Sequence, residues 1–174
     1  MSDKKCKGDS CGFARPKSVN YHGFSGASKI FLFEFQMPLD GKTGWNMDKP
    51  AIWLLNAKIP RTAQFPTNPD CSCWKSGCGE FDIFEVLDSG NLRAKSTLHI
   101  GPENGKQRAG CSDYFERPTT KPIKLAVVLD ASSSSAHIQI LDDNTDFPAS
   151  LSNEQTKAFT SIKSGPNHSD FKLS

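Results

Sequence analysis

Apolar residues in this chain come in short runs, each bounded by proline, glycine or a polar turn. That pattern specifies strands rather than helices. Lys29-Ile30-Phe31-Leu32-Phe33-Glu34-Phe35-Gln36-Met37 is rich in aromatics and ends at Pro38. Phe31, Phe33, Phe35 and Met37 share one face at the two-residue period of a strand. Leu39-Asp40-Gly41-Lys42 reads as a turn. Pro50 to Ile59 is the second strand, carrying Trp53-Leu54-Leu55, and Pro60 closes it. Glu80 to Leu87, Lys95 to Ile100, Ile123 to Asp130 and His137 to Leu141 complete the set. The last two flank a serine-rich turn, Ser132 to Ser135, read as a hairpin loop. Residues 1–28 read as irregular, and 61–79 and 101–121 as loops. The helix signature is confined to one place. Ser152 caps it, Gln155 completes a capping box, Ala158, Phe159 and Ile162 form the apolar stripe, and Gly165-Pro166 stops it. Many short strands with one helix predict an all-β sandwich or barrel, organised as a single domain over 1–174.

At 174 residues with 36% apolar content, the chain is long enough to bury a core. Twenty-one basic and nineteen acidic residues leave a formal charge of +2, which argues against nucleic acid as a partner. No apolar run approaches the ~20 residues of a membrane span. Met1-Ser2-Asp3-Lys4-Lys5-Cys6-Lys7 has no apolar stretch behind it, so no signal peptide opens the chain. The six cysteines (Cys6, Cys11, Cys71, Cys73, Cys78 and Cys111) nevertheless form an even, clustered set. Such a set reads as an oxidised, secreted framework of disulfides, of which fifteen connectivities are open. Zinc is the competing use, but Cys71-x-Cys73-x4-Cys78 lacks the usual Cys-x2-Cys spacing. Asn167-His168-Ser169 is a glycosylation sequon and leans the same way.

The chemistry lies in Gly79-Glu80-Phe81-Asp82-Ile83-Phe84-Glu85-Val86. Glu80 and Asp82 point to one face of a regular strand, and Glu85 to the other. A β-bulge at Ile83-Phe84 would return Glu85 to the acidic face. Glu80 and Glu85 then stand roughly 13–16 Å apart along the strand. Side chains leaning together close that to about 5 Å, the separation used by retaining glycosidases. Like charges on one dry face cannot all ionise, so one keeps its proton and serves as general acid. Two plainer readings compete: a solvated acidic sheet face, and a cluster binding a hard cation.

Glu80-x-Asp82-x-x-Glu85 resembles the signature of glycoside hydrolase family 16, in its longer, bulged, laminarinase-like form. Phe33-Glu34-Phe35-Gln36-Met37-Pro38 looks like the family's strand approaching the cleft. Trp45 followed by Pro50-Ala51-Ile52-Trp53-Leu54-Leu55 looks like its tryptophan segment, and Ser96-Thr97-Leu98-His99 like the strand after the acids. The runs Ala51 to Arg61 and Cys71 to Glu80 are similar to the fungal Tos1-like branch of cell-wall glucanases. The resemblance covers roughly residues 29–141. It implies a β-jelly-roll of two antiparallel sheets and a retaining double displacement on β-glucan, most often β-1,3-linked. It implies Glu80 as nucleophile, Glu85 as acid/base and Asp82 as the residue that orients Glu80. The family's domains are usually longer. Neither its late Gly-rich strand nor its closing terminal strand is legible after Leu141, so a trimmed jelly roll or a piece of a longer protein is expected.

Trp45, Trp53, Trp74, His99 and Tyr114 are the expected substrate-binding residues. A pyranose offers an apolar face to an aromatic ring. For Trp53 a core position is as reasonable, and for Tyr114 and Phe115 packing over the cysteine loop is the plainer reading. His22, His137 and His168 are given no partner and no role. No metal and no cofactor is expected, and the chain is expected to be a monomer. No serine-hydrolase, P-loop or dinucleotide motif occurs. The resemblance implies a polysaccharide partner, β-glucan. Two rivals stand beside the enzyme: a non-catalytic glucan-binding module, and a small disulfide-stapled protein whose carboxylates hold a cation. At least one disulfide is expected to pin the loop from Cys71 to Cys78.

Overall fold

Strand signals separated by turns produce, in chain order, β1 (Lys29–Phe35), β2 (Ala51–Leu55), β3 (Glu80–Glu85), β4 (Arg93–Glu103), β5 (Lys106–Glu116), β6 (Ile123–Asp130), β7 (Ser135–Leu141), α1 (Asn153–Thr160) and β8 (His168–Lys172). The structure is a computed structural model describing residues 3–8, 10–11, 17, 19–57, 59, 71, 78–103, 106–161 and 165–173, with 100–112 described as backbone only. Among the described residues the strands form two antiparallel four-stranded sheets, in the orders β1-β6-β7-β8 and β2-β3-β4-β5. The fold is all-β with one short helix, as the sequence predicts.

The chain gathers into two compact units. The larger comprises Ala27–Ile52, Ile83–Ser96 and Asp113–Ser174. Within it, β1 is apolar on both faces because both are covered. Phe31 and Phe33 lie opposite Val127 and Leu125 of β6. Phe35 meets Phe84 edge-on with ring centroids 5.2 Å apart, and Phe84 stacks on Phe115. These rings join the two sheets of a sandwich core that includes Leu125, Val127, Ala136, Ile138 and Phe171, all buried. Ile30 and Leu32, on the other face of β1, pack with Ala126, Leu141 and Phe159. Phe159 comes from α1, so the helix covers the outer face of the sheet. Ser152 caps α1 and the expected capping box with Gln155 is present. The helix ends at Thr160, where the Ser161 amide donates to the Lys157 carbonyl, rather than running on to Gly165. Ala158 is exposed, and Ile162 lies outside the described residues. The serine turn is tied down by Asp130, whose carboxylate accepts from the Ser132 amide and from the hydroxyls of Ser132 and Ser133. Those bonds hold the Asp130 carboxyl below the usual carboxylate range.

The smaller unit comprises Met1–Gly26, Trp53–Asp82 and Thr97–Ser112. The N-terminal stretch, expected to be irregular, contains an isolated antiparallel bridge between Lys5 and Tyr21 and a Cys6–Cys11 disulfide. Ile59 and Cys71 form a buried pair with Leu55 and Cys78 against them, and Cys71 is bonded to Cys78. This is the expected bridge in the cysteine loop. Cys73 lies outside the described residues, as does the Cys111 side chain.

Two strands depart from expectation. The segment 101–121, read as a loop, contains the end of β4, to Glu103, and all of β5, Lys106–Glu116. Lys106-Gln107-Arg108-Ala109-Gly110-Cys111-Ser112-Asp113 carries few β-formers, and pairing with β4 supplies what propensity does not. The polar tail, in which no closing strand was legible, contains β8, antiparallel to β7 with Ser169 opposite Ile138 and Phe171 opposite Ala136. Ser169 and Phe171 are buried while Asp170 and Lys172 face outward. That two-residue alternation is a signal the sequence did carry.

Candidate active site

β3 starts where only glycine is comfortable. Gly79 has φ +89°, and a Cβ placed there would lie 3.4 Å from the His99 carbonyl oxygen. The close approach sets the beginning of β3 beside β4. The Asn56 amide, donating to the Gly79 carbonyl, fixes the other side.

Glu80 and Asp82 follow, each only 5% exposed. They are not members of a solvated sheet face. His99, from β4, places Nε2 3.1 Å from an Asp82 carboxylate oxygen. The donor atoms of Glu80, Asp82 and His99 all lie within 4.8 Å of one another. Thr97 is buried and shares the His99 side of β4 by the strand period. Burying carboxylates costs several kcal/mol per ion unless partners compensate, and here the imidazole is one such partner. Buried, hydrogen-bonded carboxylates of this kind suit nucleophilic or general-acid chemistry. The same trio offers two oxygens and one nitrogen to a cation. Cys6, Cys11 and His22 also converge within 4.8 Å, but the two sulfurs are bonded to each other and are not thiolate ligands.

The remaining expected site residues are placed individually. Glu85 closes β3 and is half-buried. Trp53 is 43% exposed, so it is not a core residue. Trp45 is 87% exposed on the segment between β1 and β2. Tyr114 is exposed on β5 with the Arg93 guanidinium 4.7 Å over its ring. Trp74 lies outside the described residues. Glu80, Asp82 and His99 are therefore the expected residues brought together within one unit.

Residues 1–159 match the family described as "Cell wall protein YJL171C/Tos1, C-terminal". The chain belongs to this family. All the expected site residues of this Tos1-family chain fall in the matched segment, and β8 falls beyond it. It is 51% identical over 162 residues to a protein of Arthroderma benhamiae named "Probable circularly permuted 1,3-beta-glucanase", covering 90% of this chain and 36% of that protein. It is 49% identical over 165 residues to "Probable circularly permuted 1,3-beta-glucanase TOS1" of Candida albicans, covering 91% and 35%. The protein of that name in Saccharomyces cerevisiae is 47% identical over 168 residues, covering 95% and 35%. The Tos1-family chain thus spans about a third of the length of these relatives. No solved structure matches it. Among its described residues, no helix is long and apolar enough to cross a membrane.

Sequence reasoning missed two arrangements in the Tos1-family chain. Arg117 is buried and donates to the carbonyls of Met37 (2.8 Å), Pro38 (2.7 Å) and Asn91 (3.3 Å), and to the Asp48 carboxylate. The hydrogen bond and charge of Arg117 hold the Asp48 carboxyl below the usual carboxylate range. The clamp fixes both ends of the segment that displays Trp45. Nothing in Glu116-Arg117-Pro118 marks Arg117 as a hub. His137, given no partner from sequence, has Nδ1 2.6 Å from an Asp170 carboxylate oxygen and stacks on His168. The register of β7 and β8, which places His137 opposite Asp170, makes that pair.

Proposed function

We propose that the chain is the catalytic, glycan-facing part of a cell-wall β-1,3-glucanase or transglycosylase of the glycoside hydrolase family 16 type, acting with retention. The observation that supports it most is the burial of Glu80 and Asp82 with His99 against Asp82. A cluster this desolvated is costly to keep without a chemical use. The names of the relatives supply the substrate class.

In this reading the Glu80 carboxylate attacks the anomeric carbon. The glycosidic C–O bond breaks, and Glu85 gives its proton to the departing sugar oxygen. Glu85 then takes a proton from water, or from an acceptor sugar hydroxyl, as that oxygen displaces Glu80. Asp82, oriented by His99, positions Glu80. Trp45, Trp53, Trp74 and Tyr114 offer faces on which sugar rings stack. Water as acceptor gives hydrolysis; a sugar gives transfer.

The test is incubation with a soluble β-1,3-glucan, following reducing ends and product sizes for the parent and Glu80→Gln. Shortened or rearranged products from the parent and none from the variant support the reading. Binding by both without turnover replaces it with a non-catalytic glucan-binding module.

A further inference from the structure

Asn167-His168-Ser169 is the single Asn-x-Ser/Thr sequence in the chain, with no proline at its centre. It lies beyond the segment 1–159 that the family description covers. The structure places it at a turn tip. The His168 amide donates to the Gly165 carbonyl at 3.1 Å, closing the four-residue turn Gly165-Pro166-Asn167-His168. Proline at the second position and asparagine at the third are residues such turns favour. The Asn167 carbonyl accepts from the Ile140 amide at 2.9 Å, which anchors the backbone to β7. Asn167 itself is exposed. Its side chain therefore stands on a fixed backbone and faces solvent. Beside it lies a cavity of about 460 Å³ whose walls include Arg93, Thr119, Lys121 and Pro166.

We propose that Asn167 carries an N-linked glycan. The Asn167 side-chain nitrogen displaces the diphosphate from the anomeric carbon of a polyprenyl-diphosphate-linked oligosaccharide. A carbon–nitrogen bond forms, the carbon–oxygen bond to the diphosphate breaks with the electron pair leaving on the diphosphate, and the amide nitrogen gives up one proton to solvent. Ser169, the hydroxyl residue of the sequon, is 5% exposed in the folded sheet. The transfer therefore precedes the docking of β8.

The test is secretion of the chain from a yeast host, followed by intact mass and peptide mapping before and after an endoglycosidase that removes N-linked chains. The expected result is one downward mass step, a modified Asn167 peptide, and no step in Asn167→Gln. Mapping of the parent alone decides the matter if the variant is not secreted. An unmodified Asn167 in the secreted parent overturns the site.

Discussion

β6 and β3 are both hidden strands, and they are hidden for opposite reasons. In β6, Leu125, Ala126 and Val127 are fully buried and apolar, so the hydrophobic effect alone accounts for their position. In β3, Phe81, Ile83 and Phe84 are also buried, but Glu80 and Asp82 are interleaved with them. The apolar members of β3 hold the strand inside, and the acids go in with them at a cost. β6 is built for stability; β3 spends stability on a desolvated cluster.

The largest expected effect separates the two strands by activity. Glu80→Gln should lower glucan turnover by about 10²–10⁴-fold or more, while leaving the unfolding midpoint unchanged or higher. A variant that unfolds easily yet turns over normally would make the acids structural and end the contrast. Leu125→Ala should show the reverse: a loss of about 2–5 kcal/mol in denaturant unfolding, with activity per folded molecule retained. A smaller effect is expected at the Arg117 clamp. Because the Asp48 carboxyl titrates below its ordinary value, its contribution is complete above about pH 4, the unfolded range, and is lost as pH falls through the depressed value. Asp48→Asn should lower the Tm at neutral pH and flatten the fall of Tm between pH 4 and lower values, read by calorimetry across that range. An unchanged acid profile would mean that the clamp holds geometry but not stability. The smallest effect belongs to Ser152→Ala, which removes the cap of α1 and should cost about 1 kcal/mol in thermal unfolding.

Much of this contrast was legible in the sequence. β6 was read with its true ends because Ile123-Lys124-Leu125-Ala126-Val127-Val128-Leu129-Asp130 is bounded by Pro122 and a polar turn. The cap of α1 was legible from Ser152 and Gln155, because capping chemistry is local. Glu80 and Asp82 were legible as a pair from strand parity. Their burial and the His99 contact were not, since both arise from β4 lying alongside β3. β5 was missed because pairing, not composition, makes it a strand. β8 is hard to read because its alternation rests on Phe171 and Leu173 alone, too few apolar positions to mark a strand. The Arg117 clamp joins residues far apart in sequence, from Met37 and Asp48 to Asn91, and no local pattern encodes it.

The position of α1 has a consequence for anyone dividing this protein into pieces. A helix of eight residues has little stability of its own; it persists because Phe159 is seated against Ala126 and Leu141. The dependence runs both ways. A fragment ending before Asn153 would lose α1 and Phe159 with it, baring Ile30, Leu32, Ala126 and Leu141 to water as one oily surface. Degradation from that side would yield precipitate rather than a smaller working domain. α1 thus sets the shortest length at which the sheet beneath it can be handled in solution.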